Sequence, residues 1–178
     1  ILSCDLSGLS RTETFPTPFV TLSFDLETSI ANNWILCAAA VVDRAGVRTE
    51  HRFRVDEDEE LGETDILEGL TELVRKEDPD FITGYNIDNF DLPRMEERTD
   101  SIAPKSKMDR AVMLGWGRVP ITEDEAKPRR LFPSRQQNRV WQIAGRIPLD
   151  AWWQARQTLR PQRESLRYVS RLLWEEED

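Results

Sequence analysis

Apolar and polar residues alternate without a break from Phe19 to Glu27: Val20, Leu22, Phe24 and Leu26 face one way, Thr21, Ser23, Asp25 and Glu27 the other. A two-residue period is that of a strand with one buried face. Trp34 to Val42 is apolar nearly throughout, as suits a central strand, and Val47 to Val55 alternates again beyond a turn at Ala45-Gly46. The spacing then changes. Ile66, Leu67, Leu70, Leu73 and Val74 share one helical face, and Asp65 with Glu68 three residues on has the form of a capping box. Asp78-Pro79 ends that helix. A short buried strand is expected at Phe81–Thr83 and a second helix from around Asn89 to Asp91, because Pro93 fits only a first turn.

From Ser101 to Gln137 no period holds, and loops with a hairpin are expected. Val140–Ile143 and Arg146–Leu149 flank Ala144-Gly145 as a second hairpin, and helices are expected over Asp150–Leu159 and Ser165–Trp174. Residues 1–18 form an irregular lead-in punctuated by Pro16 and Pro18, leaving one domain over 19–178. Strands first, then helices alternating with further strands, predict an α/β domain with a mixed β-sheet flanked by helices.

Composition narrows the function classes. With 39% hydrophobic residues and six tryptophans, the chain can bury a real core. No apolar run is long enough for a membrane span, so no membrane partner is expected. Cys4 and Cys37 cannot build a disulfide framework or a zinc site by themselves, and Cys37, inside an apolar run, reads as a buried small hydrophobe in a reducing compartment. The one histidine, His51, is expected as a half-buried strand residue, which excludes any site needing several imidazoles. A net charge of −9 speaks against a general affinity for nucleic acid. The charge is uneven, however. Acidic runs at 56–60 and at the C-terminus contrast with a basic stretch at Lys127, Arg129, Arg130, Arg135 and Arg139, a candidate phosphate contact or a solvated loop.

Two acidic motifs carry candidate chemistry. Asp25 and Glu27, two apart on a strand, project from the same face, away from the core. Side-by-side carboxylates repel unless a cation sits between them, which suits Mg²⁺ or Mn²⁺, although an acidic pair at a strand end is more often simply solvated. The second motif, Thr83-Gly84-Tyr85-Asn86-Ile87-Asp88-Asn89-Phe90-Asp91-Leu92-Pro93, joins a buried strand to a helix start. Asp88 and Asn89 read best as N-caps. Asp91 falls in the first turn, where the helix dipole favours an ionised carboxylate and so a cation ligand.

Phe24-Asp25-Leu26-Glu27-Thr28 resembles the first exonuclease motif of family B DNA polymerases, and Gly84–Pro93 is similar to the second, in which a Tyr-Asn pair precedes a Phe-Asp pair. The spacing between the two also fits, and Gly145–Asp150 followed by Leu166–Leu173 resembles the segment after the second motif. The resemblance covers about Phe19 to Trp174, and the second motif is its specific part. It implies the 3′→5′ exonuclease (proofreading) domain of such a polymerase, of archaeal type, with a ribonuclease H-like fold. The activity implied is two-metal hydrolysis of single-stranded DNA 3′ ends by four acids, the ions about 3.5–4 Å apart. Asp25, Glu27 and Asp91 match three of those acids, as catalytic and metal-binding residues. Asn86, Tyr85 and Phe90 match substrate-side positions, Asn86 supporting the substrate or the loop and Phe90 being a candidate base stacker, with a core role as the alternative.

The fourth acid belongs to a Tyr-x-x-x-Asp motif that these 178 residues do not contain. Ile1 and the terminal Glu-Glu-Glu-Asp look like cuts in a longer polypeptide, so that motif is expected downstream, and the fragment alone is expected to be inactive or weakly active. Asp150 is the first candidate for any group completing the site in its place. Implied partners are single-stranded and primer–template DNA and the polymerase domains of the parent chain, in a cytoplasmic, nucleoid-associated setting. A stand-alone exonuclease of the same fold, or a catalytically inactive exonuclease-like module, are the rival readings.

Overall fold

A computed structural model describes residues 7, 10–11, 16–55, 62–118, 130–135 and 140–175. The acidic runs at 56–60 and 176–178, and Lys127, Arg129 and Arg139 of the basic stretch, lie outside these. Among the described residues the elements in chain order are β1 (Val20–Thr28), β2 (Ile35–Arg44), β3 (Val47–Arg54), α1 (Gly62–Glu77), β4 (Phe81–Gly84), α2 (Asp91–Ser106), α3 (Arg110–Leu114), β5 (Ser134–Arg135), β6 (Trp141–Gln142), β7 (Ile147–Asp150), α4 (Ala151–Thr158) and α5 (Leu166–Glu175).

The main sheet has the order β3-β2-β1-β4-β7. β3, β2 and β1 form an antiparallel meander, whereas β4 and β7 run parallel to β1 and to each other. The mixed α/β sheet expected from the alternation is therefore present. Val20, Leu22, Phe24 and Leu26 are all buried, as the period predicts, and pack with Ile82 and with Ile66, Leu67, Leu70, Leu73 and Val74 of α1. α1 is already helical at Gly62, upstream of the Asp65 capping box. Its start is tied down by Glu63, whose buried carboxylate takes a bidentate pair from Arg98 of α2 (2.5 and 2.9 Å) and the backbone N–H of Ile35 at 2.7 Å.

The second half departs further from the pattern. α2 runs through Ser101 to Ser106 despite Pro104, and α3 follows, in a stretch expected to be loop. Burial of Met95, Thr99 and Ile102 along one face of α2 holds the last turn in place although Pro104 donates no hydrogen bond. The turn at Ala144-Gly145 forms, with Gly145 at φ +76°, but only Ile143 and Arg146 bridge across it. β6 pairs instead with β5, and β7 joins the main sheet beside β4. His51 and Cys37 are half-buried; the open side of β2 leaves Cys37 less covered than its apolar run suggests.

The parallel strands β1, β4 and β7 end on one side, the usual place for a ligand in an open α/β sheet. At that side Asp150, 6% exposed, closes β7 and caps α4 by accepting the Trp152 N–H at 2.9 Å. Its oxygens also accept the backbone N–H groups of Asn86 (2.8 Å) and Asp88 (3.1 Å). One carboxylate thus clamps the turn after β4 to the start of α4. Asn86 sits at φ +66°, a left-handed conformation that asparagine tolerates better than most side chains. Gly84 is required for a different reason: a Cβ there would lie 2.5 Å from the Phe24 carbonyl oxygen. Asp88 is buried beneath this turn, and burial, with the Asp150 charge second, pushes its carboxyl up to about 6, against the pull of the Trp153 hydrogen bond and Arg135.

Two outcomes follow from these buried acids. Glu63→Ala leaves the Arg98 guanidinium and the Ile35 N–H without their carboxylate and should cost about 3–5 kcal/mol in urea denaturation. Asp88, by contrast, carries a folded-state pKa above its unfolded value, so ionising it disfavours the fold. That penalty is absent below about 3.8, grows through the interval and is complete above about 6. Asp88→Asn should therefore raise stability by on the order of 1 kcal/mol at about pH 8 and have little effect near pH 4, as measured by thermal melts at the two pH values.

Candidate active site

Asp25 and Glu27 both occupy the exposed face of β1, as their spacing requires. Asp91 comes from the first turn of α2 and is 1% exposed. Its Oδ1 accepts the backbone N–H of Leu26 at 3.0 Å, a contact between residues 65 apart in the chain. The hydrogen bond sets the third acid against the peptide that joins the other two. All three line a single cleft of about 380 Å³, together with Tyr85, Asn86, Phe90, Trp152 and Glu164. The cleft is open to solvent at Asp25 and Glu27 and closed at Asp91.

The electrostatics follow from that crowding. Burial pushes Asp91 up to about 7, and the Asp25 charge adds to it; the N–H groups of Leu26 and of Asp91 itself oppose the rise without cancelling it. Asp25 is raised as well, by burial first and by Glu27 second. Among the described residues no three Asp, Glu, His or Cys side chains converge closely enough to enclose a metal ion. The donor set nevertheless fits a hard divalent cation: every charged group at the floor of the cleft is a carboxylate, two of the three hold their protons more tightly than usual, and a cation is the countercharge that would relieve both.

The remaining sequence candidates take definite places. Tyr85 lines the cleft and donates its hydroxyl to the Glu164 carbonyl oxygen at 2.5 Å, bridging the turn to the segment before α5. Asn86 accepts from the Asn89 side chain at 3.0 Å within the turn. Phe90, 39% exposed, presents its ring in the cleft rather than the core, beside the Arg94 guanidinium 6.0 Å away. Neither Asp88 nor Asn89 caps α2: the cap position is Phe90, with no side-chain bond, because Asp88 turns inward. Asp150 does not line this cleft; its oxygens accept three backbone N–H groups. Arg130 and Arg135 of the basic stretch do not line this cleft. Trp152 and Glu164 do, and no periodicity identified them, since α4 and the α4–α5 connection reach the cleft only through the folding of β7 beside β4. The one local signal was Asp150 itself, an N-cap residue directly after a strand.

A family model for the exonuclease domain of DNA polymerase family B matches residues 1–169. The chain is 34% identical over 91 residues to the DNA polymerase delta catalytic subunit of Mesocricetus auratus and 38% identical over 92 residues to that of Caenorhabditis elegans. These alignments cover 49% and 51% of this chain but 8% of either relative, so the chain spans a small part of the proteins it matches. Its structure is similar to the family B DNA polymerase of the archaeon Pyrobaculum calidifontis, with a TM-score of 0.54 and 23% identity over 79% of this chain and 16% of that one. That likeness carries the fold, which is ribonuclease H-like. Among the described residues no helix is long and apolar enough to cross a membrane. With the motifs, the sheet order and the family match in agreement, this chain belongs to DNA polymerase family B, as its exonuclease domain.

Proposed function

We propose that this domain proofreads: it removes nucleotides from the 3′ end of single-stranded DNA presented by the polymerase that carries it, with Asp25, Glu27 and Asp91 as its metal-binding catalytic acids. The observation that supports this reading is the meeting, in one cleft, of two carboxylates from β1 with a buried third from α2. Mg²⁺ or Mn²⁺ ions, when bound, would supply a water of lowered pKa as nucleophile and stabilise the leaving 3′ oxygen. Asp25 and Glu27, side by side at the open end, offer oxygens from the strand face, and Asp91 offers one from the interior.

The protein's own contribution is positioning. Asp91 is held by Leu26, and the turn behind it by Asp150, so the two motifs cannot drift apart without breaking bonds to backbone N–H groups. Such fixed placement of catalytic groups is worth orders of magnitude in rate. Asn86 and Tyr85 shape the wall next to the acids, and Phe90 offers a ring on which a terminal base can stack. In the family pattern a fourth acid and a tyrosine from a third motif complete this set. Primer–template DNA would reach the cleft only after its 3′ end has separated into a single strand.

Asp25→Ala together with Glu27→Ala in the polymerase should abolish 3′→5′ degradation of a labelled single strand, by on the order of a thousandfold or more, and leave primer extension nearly intact. Nuclease activity unchanged in the double variant would remove the assignment. Independently of turnover, millimolar Mn²⁺ should raise the melting temperature of this domain, because an ion that binds only the folded state stabilises it. Asp91→Asn and Asp25→Asn should each abolish that shift, read by differential scanning fluorimetry with Na⁺ at matched ionic strength as control.

A further inference from the structure

The α4 side of the cleft carries a group that the acids do not account for. Trp152, in the first turn of α4, is half-buried and lines the same cleft as Asp25, Glu27, Asp91 and Phe90. Its position is set by several contacts. Asp150 accepts its backbone N–H at 2.9 Å, the Trp153 ring meets it edge-on with centroids 4.7 Å apart, and the Arg156 guanidinium lies 4.7 Å from the ring centroid. Arg156 is in turn held by Glu164 at 3.0 Å, and Trp153 by its hydrogen bond to Asp88. An indole braced in this way loses little side-chain freedom when something stacks on it. It is not serving the core: the buried residue of α4 is Ala155, and Trp152 lies outside the cluster formed by the sheet and α1.

The charge of the cleft says what such a ring is for. Its floor is carboxylate, and the guanidinium beside Trp152 is already paired with Glu164. A phosphate backbone entering there meets like charge except where a bound cation screens it, so contacts that do not depend on sign add affinity for a strand end that the cleft's own side chains otherwise do not supply. Stacking on an aromatic face is such a contact, and it is available to every base. We infer that Trp152 is a base-stacking residue for the 3′-terminal nucleotide, on a different element from Phe90, so that the end of the strand is held by rings from both the turn before α2 and the first turn of α4. This assignment rests on the exonuclease reading above and adds a substrate contact to it. It accounts for a site that would hold any 3′ end regardless of sequence, while discriminating against an end that lacks a base.

The test is equilibrium binding of a 5′-fluorescein-labelled oligothymidylate of about ten nucleotides, followed by anisotropy with Ca²⁺ in place of Mg²⁺. Trp152→Ala should weaken binding about fivefold to a hundredfold, and Trp152→Phe should keep it within about threefold of wild type. Removing the base from the 3′-terminal nucleotide should weaken wild-type binding by at least that factor and weaken Trp152→Ala by clearly less, because the variant has already lost the Trp152 share of the stacking and keeps only that of Phe90. A purely structural tryptophan would not give that coupling. If the abasic end weakens wild type and Trp152→Ala equally, or if Trp152→Ala binds as tightly as wild type, the assignment is overturned while the exonuclease reading stands. Failure of the wild-type chain to bind any single strand would overturn the exonuclease reading itself, and this proposal with it.

Discussion

The hydrogen bond from the Leu26 N–H to the Asp91 carboxylate is the contact on which the site depends. It joins the first turn of α2 to the last residues of β1 and so brings two separate acidic motifs to one cleft. It is possible only because β4 runs parallel to β1 in a register that aligns Ser23 with Thr83, and because Gly84 has no side chain to hold the next turn away from the Phe24 carbonyl. A Cβ at that position would have to displace backbone, and the turn carrying Asn86, Phe90 and Asp91 would move with it. The consequence of the close approach is desolvation. Asp91 is raised to about 7 because it was brought inside to meet the other acids.

A buried carboxylate held near its neighbours is a cost to the fold, and the structure distributes that cost unevenly. Away from the cleft, two buried charges are closely paired. Glu63 and Arg98 pair bidentately, and Arg146 donates to Asp78 and to the carbonyls of Trp116 and Pro79. At the cleft, Asp25 and Asp91 are raised above the usual carboxylate value, as is Asp88 beneath the turn behind it. Groups displaced in this way concentrate where a charged ligand is to be bound, because the ligand supplies what the fold withholds. Asp150 shows the opposite solution within the same few ångströms. Three backbone N–H groups engage its oxygens, and it holds the turn from outside the cleft. Asp91 and Asp150, both buried, thus differ in how far hydrogen bonds satisfy them: one backbone N–H from another residue for Asp91, three for Asp150.

The second wall of the cleft has a different origin. α4 and α5 stand over the face of the sheet that carries Ser23 and Asp25, with Ala151 and Leu166 bordering it. They bring to the acids what the strands cannot: a ring from Trp152, and the Tyr85 hydroxyl drawn to Glu164. The cleft is therefore assembled from three stretches far apart in the chain, near residues 25, 90 and 152–166, and the last of them is joined to the main sheet through β7.

The local chemistry was legible in the amino-acid order. The two-residue period of β1 settled that Asp25 and Glu27 share a face opposite the core, and the helical spacing from Ile66 to Val74 settled which side of α1 is buried, because both depend only on backbone geometry within a few residues. The Gly-Tyr-Asn to Phe-Asp-Leu-Pro motif placed Asp91 at a helix start for the same reason. What tertiary structure decided was everything set by contacts across the chain. Asp65 lost the helix start to a segment anchored by Glu63, whose partner Arg98 is 35 residues away. Pro104 stayed helical because Ile102 and Thr99 are buried against the rest of the core, and Asp88 turned inward instead of capping α2. Trp152 became part of the cleft, and Asp150 a clamp, only when β7 paired with β4. Periodicity encodes which face of an element is apolar; it carries no information about which distant element will cover that face, and a cleft is made where two such choices meet.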